Sequence, residues 1–215
     1  MTRILSFWGK GGVGKTTISA ATALYLAEKN FKVLLLSSDP TPSLSEVLDF
    51  KLSSEPLKVY KELYALELSE EKVIQLWKER FGEEVYKVAS SIFPIERDVI
   101  DYVAGAPGIA DEFLLYYIYE TWKSRKYDFI VWDTTAAGGS IRLLRIEKEF
   151  YSHLGEAAKM YLRLKGFFEK LKKGEKDPLD LINEWRDLAE NVLKMLSSTD
   201  HSLILIATPE ELSLH

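Results

Sequence analysis

Residues 9 to 16 read Gly-Lys-Gly-Gly-Val-Gly-Lys-Thr, the residue types and spacing of a backbone cradle for phosphate. Gly9, Gly11, Gly12 and Gly14 carry no side chain that would block an approaching anion, so successive N–H groups can turn inward around its oxygens. A helix beginning near Gly14 adds the positive end of its dipole. Lys15 then reaches the β- and γ-phosphates, and the Thr16 hydroxyl ligates Mg²⁺. Val13 and Thr17 complete the candidate nucleotide contacts, and Lys10 adds a second ammonium directly after the first glycine. The plain alternative is a glycine-rich turn carrying a stray lysine. An apolar stretch, Ile4 to Trp8, precedes the run and a helix-compatible one, Ile18 to Glu28, follows it. That strand-loop-helix context favours triphosphate binding.

Two carboxylates stand where a phosphate site would use them. Asp39 follows the apolar run Lys32 to Ser38 and opens a loop, Asp39-Pro40-Thr41-Pro42, that its prolines keep out of a helix. A carboxylate held there can orient a water beside the phosphates, although Asp before Pro is also a common turn starter or cap. Asp133 closes Phe129-Ile130-Val131-Trp132, as a Walker B aspartate is presented to Mg²⁺; its alternative role is a cap on the next element. The small residues after it, Thr134 through Gly138 to Ser140, suit a switch that follows the γ-phosphate, with Asp39, Pro40 and Asp133 as its other members. The same stretch also suits a tight loop that does not move.

The elements that must position these groups are legible in the pattern. Besides Ile4 to Trp8, strands are expected over Lys32 to Ser38, Leu63 to Leu68, Tyr127 to Asp133 and Ser202 to Ala207. Runs such as Val33-Leu34-Leu35-Leu36 fit parallel strands buried on both faces, which need helical crossovers between them. The fold class is α/β, a doubly wound, mostly parallel sheet of the P-loop NTPase kind, with binding loops at the carboxyl ends of its strands. Helical insertions are expected about 70–125, broken around Phe93-Pro94 and at Gly105-Ala106-Pro107-Gly108, and about 147–199 as a helical pair whose second member has Asp177 as N-cap. Leu181, Trp185, Leu188, Val192 and Leu196 form one stripe on that member, a pattern more often core than groove.

Composition bounds the class. A chain of 215 residues with 47% hydrophobic content supports one sizeable core, so 1–215 is read as a single α/β domain. With 28 basic against 33 acidic residues and no basic tract, the electrostatic footprint of a nucleic-acid binder is missing. Cysteine is absent, which excludes disulfides, a catalytic thiol and any cysteine-ligated metal or arsenic site within these residues. No stretch approaches membrane-spanning length and the start lacks a leader pattern, so a cytoplasmic protein is expected.

The phosphate loop with its extra Lys10, Ser38-Asp39-Pro40 followed by Ser43-Leu44-Ser45, and Asp133-Thr134 leading to Gly138 and Arg142-Leu143-Leu144 resemble the ArsA/GET-type ATPases. These are the arsenite-pump ATPase and the ATPases that target tail-anchored membrane proteins. The loop alone fits the wider deviant Walker A group, MinD- and ParA-like partition ATPases included; the other two loops narrow it. The resemblance implies hydrolysis of ATP with Mg²⁺ in a nucleotide-dependent homodimer. By it, Lys10 reaches the partner's phosphates, Asp39 positions the attacking water, and Asp133 supports the metal through water. It also implies a hydrophobic helix or membrane-protein client.

The chain departs from that family pattern at Pro42, where relatives carry histidine, and at Ala136 and Gly139, where they carry proline and histidine. The resemblance further places an adenine-reading asparagine and a zinc-joined cysteine pair beyond His215. Two rivals follow: a nucleotide-gated scaffold with little hydrolysis, and a partition ATPase, which the acidic balance does not encourage.

Overall fold

The computed structural model describes residues 1–38, 43–91, 93–134 and 177–209. Its contacts divide the chain into two compact units, Met1–Lys72 with Tyr117–Arg142 and Met195–His215, and Val73–Tyr116 with Leu143–Lys194.

The first unit is built on a sheet of six strands among the described residues: β1 (Arg3–Trp8), β2 (Val33–Ser37), β3 (Leu57–Tyr60), β4 (Leu63–Glu67), β5 (Phe129–Asp133) and β6 (His201–Leu205), in the order β3-β4-β2-β5-β1-β6. All neighbours run parallel except β3, which is antiparallel to β4. The doubly wound, mostly parallel α/β fold expected from the pattern is therefore the fold observed. Val33, Leu34, Leu35 and Leu36 are fully buried, as the continuous apolar run requires. β3 was not foreseen, because Leu57-Lys58-Val59-Tyr60 is a mostly exposed edge with no apolar run. It turns back into β4 through Lys61 in a left-handed conformation.

Why α1 (Lys15–Glu28) lies flat on this sheet follows from its small residues. Ala20, Ala23 and Ala27 recur at helical spacing and pack with Phe7, Leu35, Leu63 and Val131 on one face of the sheet. α2 (Ser43–Leu48) adds Leu44 to the same core. On the opposite face Ile4, Leu34, Leu36, Leu66, Ile130 and Trp132 are fully buried. The end of α5 (Ile109–Lys123) reaches this unit, where the Trp122 indole donates to the Thr2 carbonyl at 3.0 Å. Among the described residues β6 is the sheet's last strand, and its Leu203 and Leu205 are 51% and 72% exposed.

The second unit is helical. It takes most of α3 (Glu70–Ser90), α4 (Val99–Ala104), the first half of α5 and most of α6 (Pro178–Leu196). The breaks fall where proline and glycine called for them. α3 ends before Phe93-Pro94, Gly105 caps α4, and Gly108 takes a φ of 98° just ahead of α5. Asp177 caps α6 as expected, its Oδ1 accepting the Leu179 N–H at 2.9 Å. Phe81 is the hub of an aromatic cluster, edge-on to Phe113 at 6.2 Å and to Tyr116 at 5.1 Å. The Trp185 indole donates to Glu84 at 2.7 Å, and Glu84 pairs with Arg80. Trp77, Phe113, Trp185, Leu188 and Val192 are among the residues lining an apolar cavity of about 220 Å³, so part of the α6 stripe borders open space. No helix among the described residues is long and apolar enough to cross a membrane.

Leu35 sits at the centre of β2 with no exposed surface, paired to β4 and β5 on either side. Leu35→Ala should lower stability by about 2–5 kcal/mol, read as a shift in the urea unfolding midpoint with an unchanged slope.

Candidate nucleotide site

The phosphate loop joins the end of β1 to the start of α1, and the local geometry explains its glycines. Ile206 donates its N–H to the Trp8 carbonyl at 2.6 Å, which presses the segment after β6 against the start of the loop. A Cβ on Gly9 would stand 2.2 Å from the Ile206 carbonyl oxygen, so a residue without a side chain is required there. Gly12 and Gly14 take φ values of 80° and 91°, the left-handed region in which L side chains are strained.

Gly14 is also the N-cap of α1, and it has no side-chain oxygen to offer the first-turn N–H groups. The first turn of α1 contains no acidic residue, and Lys15 opens it. Each of these features favours an anion at the helix start. Lys15 is buried to 6% exposure, and its ammonium folds back over the loop to the Lys10 carbonyl at 3.1 Å. It therefore lies across the mouth of the cradle rather than out in solvent. Lys10 itself is exposed.

Strand register brings the remaining groups to this end of the sheet. Phe7 pairs with Asp133, Asp133 with Ser37, and Ser37 with Glu67, so β1, β5, β2 and β4 finish level. Asp133 is fully buried, and its Oδ2 accepts the Ser37 hydroxyl at 3.4 Å. The Trp132 indole donates to Ser38 Oγ at 3.0 Å, and Ser38 donates its amide to the Asp133 carbonyl at 3.2 Å. Thr134 is buried too, its hydroxyl bonded to the Phe7 carbonyl at 2.7 Å. Thr16 Oγ1 stands 3.4 Å from Ser43 Oγ at the start of α2. These hydroxyls, together with the Asp133 carboxylate, are hard oxygen donors that fit a magnesium ion carried in on phosphates.

The structure thus brings Gly9 to Thr17, Asp133 and Thr134 to the carboxyl ends of β1 and β5. Asp39, Pro40 and Gly138 lie outside the described residues. Sequence reasoning passed over Glu67, whose Oε1 accepts the N–H groups of Leu44 at 2.7 Å and Ser45 at 3.0 Å. Its signal was available: like Asp133, it is a carboxylate closing an apolar strand. Ser43 figured only as part of a motif, and nothing in its spacing from Thr16 announced that the two meet.

The family model described as anion-transporting ATPase matches residues 2–215. The chain belongs to the anion-transporting ATPase family. Among curated members, a Chlorobaculum tepidum protein named as an arsenical pump-driving ATPase is 37% identical over 67% of this chain and 35% of its own length. An Aquifex aeolicus protein named as arsenical pump-driving ATPase 2 is 33% identical over 74% of this chain and 54% of its own. The ATPase ASNA1 homolog of Babesia bovis is 28% identical over 96% of this chain and 58% of its own. The matched region thus makes up 35% to 58% of these family members.

Replacing Gly9 by alanine forces the loop away from the Ile206 carbonyl. Gly9→Ala should cost about 1–3 kcal/mol in urea unfolding and weaken binding of an ATP analogue in calorimetry.

Proposed function

We propose that this anion-transporting ATPase family member binds ATP with Mg²⁺ through Gly9 to Thr17 and hydrolyses it to ADP and phosphate. The observation that carries the reading is the buried Lys15 ammonium, turned over a loop whose glycines hold left-handed backbone, at the same sheet end as the Asp133 carboxylate. The bound magnesium would supply charge neutralisation between the outer phosphates, with Thr16 as its direct ligand and Asp133 supporting it through water. The chain's own groups do the rest. Loop amides and Lys15 bind the phosphates, and Asp39 orients the water that attacks.

The proposed working unit is a nucleotide-dependent homodimer in which Lys10 reaches the partner's phosphates and the loops holding Asp39, Pro40, Asp133, Thr134 and Gly138 act as switches. Exposure of Lys10 at the loop surface supports that role. The cycle would act on the helical insertions as parts of one ATPase domain. Their cargo, in this reading, is an apolar helix of a membrane-protein client, with tail-anchored protein targeting as the process. The aromatic-lined cavity supports an apolar cargo, and a sequence without cysteine argues against arsenite held by thiols.

A phosphate-release assay tests the reading. Wild type should turn over ATP, Lys15→Ala should not, and Asp39→Asn should lose turnover while keeping ATP binding. Lys10→Ala should lower turnover by roughly 10³ to 10⁵ with binding partly preserved, as loss of a charge supplied in trans does. Mass in solution should double with a non-hydrolysable ATP analogue. Binding without turnover by a dimeric wild type would instead support the scaffold reading that the altered loop residues Pro42, Ala136 and Gly139 suggest.

A further inference from the structure

Helix α2 is tied to the sheet by a residue that is remote from it in sequence. Its first residue is Ser43, so Leu44 and Ser45 carry the N–H groups that an N-cap side chain ordinarily accepts. The residue before Ser43 is Pro42, which has no side-chain oxygen. Glu67, at the end of β4, takes that part. Its Oε1 accepts the Leu44 N–H at 2.7 Å and the Ser45 N–H at 3.0 Å, while its Oε2 accepts the Ser45 hydroxyl. Ser45 Oγ in turn accepts the Leu52 N–H at 3.2 Å, and Leu44 is fully buried in the core beside α1. The entrance of α2 is thereby held by a charge-assisted cap, a packed leucine and a second-layer hydroxyl.

What this clamp fixes is the separation of two hydroxyls. Ser43, one residue ahead of the clamped amides, stands 3.4 Å from Thr16 on α1. We propose that Glu67 is a positioning residue of the nucleotide site: by holding the Leu44 and Ser45 amides it sets the Ser43 hydroxyl beside Thr16, and so sets how well that pair receives nucleotide-borne magnesium. The inference rests on the ATPase reading above and adds a residue outside the phosphate loop to it. The Glu67 carboxylate bonds the Leu44 and Ser45 amides and the Ser45 hydroxyl, so it acts on the pair through the backbone of α2.

Calorimetry with a non-hydrolysable ATP analogue, with and without Mg²⁺, separates positioning from mere support of the fold. In Glu67→Ala the magnesium-dependent gain in affinity should fall roughly 10- to 100-fold, the usual effect of losing an outer-shell partner, while magnesium-free affinity stays at the wild-type level. Glu67→Gln, which keeps an oxygen acceptor for the amides, should fall between. Ser43→Ala should reproduce the Glu67→Ala shift, and it carries the test if Glu67→Ala does not fold. A wild-type magnesium response in a folded Glu67→Ala or in Ser43→Ala would overturn the proposal, as would equal loss of affinity with and without the metal. Those results leave the ATPase reading intact. A wild type that binds no nucleotide in either condition would sink both.

Discussion

Level pairing of parallel strands is the constraint from which the rest of the candidate site follows. β1, β5, β2 and β4 are in register at Phe7, Asp133, Ser37 and Glu67, and the interiors of β2 and β5 are buried on both faces. A strand covered on both sides has no place for a charge except at its end, because an unpaired buried charge costs more than the strand's packing returns. The carboxylates of Asp133 and Glu67 therefore lie in one row at the sheet's carboxyl margin. The phosphate loop leaves β1 at the same margin. Chemistry converges there because the core excludes it elsewhere.

The loop works within that frame by conformation more than by side chains. Left-handed backbone at Gly12 and Gly14, and the close approach of Ile206 to Gly9, shape the turn before any ligand is considered. α1 then starts at a residue with nothing to cap it and with a lysine in its first turn. Helix dipole, backbone donors and ammonium all carry the same sign at one point. On the far side of Thr16, α2 has the opposite arrangement, since its start is already satisfied by an anion that the protein supplies, Glu67. The two neighbouring helix starts differ: the chain supplies an anion to one and leaves the other without a side-chain cap.

How far the sequence disclosed this depends on the kind of interaction involved. The five apolar runs became strands within a residue or two of their expected bounds, because burial on both faces leaves a contiguous signature. Gly105, Gly108 and Asp177 marked helix boundaries because their roles are local. β3 escaped because an exposed edge strand needs no apolar pattern. Glu67 and Ser43 escaped for a different reason: each matters through a partner 22 to 27 residues away, and a single sequence does not record which distant residues meet. Local rules reach the loop and its helix, while the outer ring of support is a product of tertiary packing.

The outer margin of β6 carries a consequence for strand pairing. From Ser202 to Thr208 the chain has no charge and no proline, and its two outward leucines are largely solvent-facing. Among the described residues no strand pairs with β6 on its outer side, and natural sheets commonly blunt such borders with lysine, proline or a bulge. An uncharged strand with one paired side suits the addition of a further strand there, whether from this polypeptide or from another.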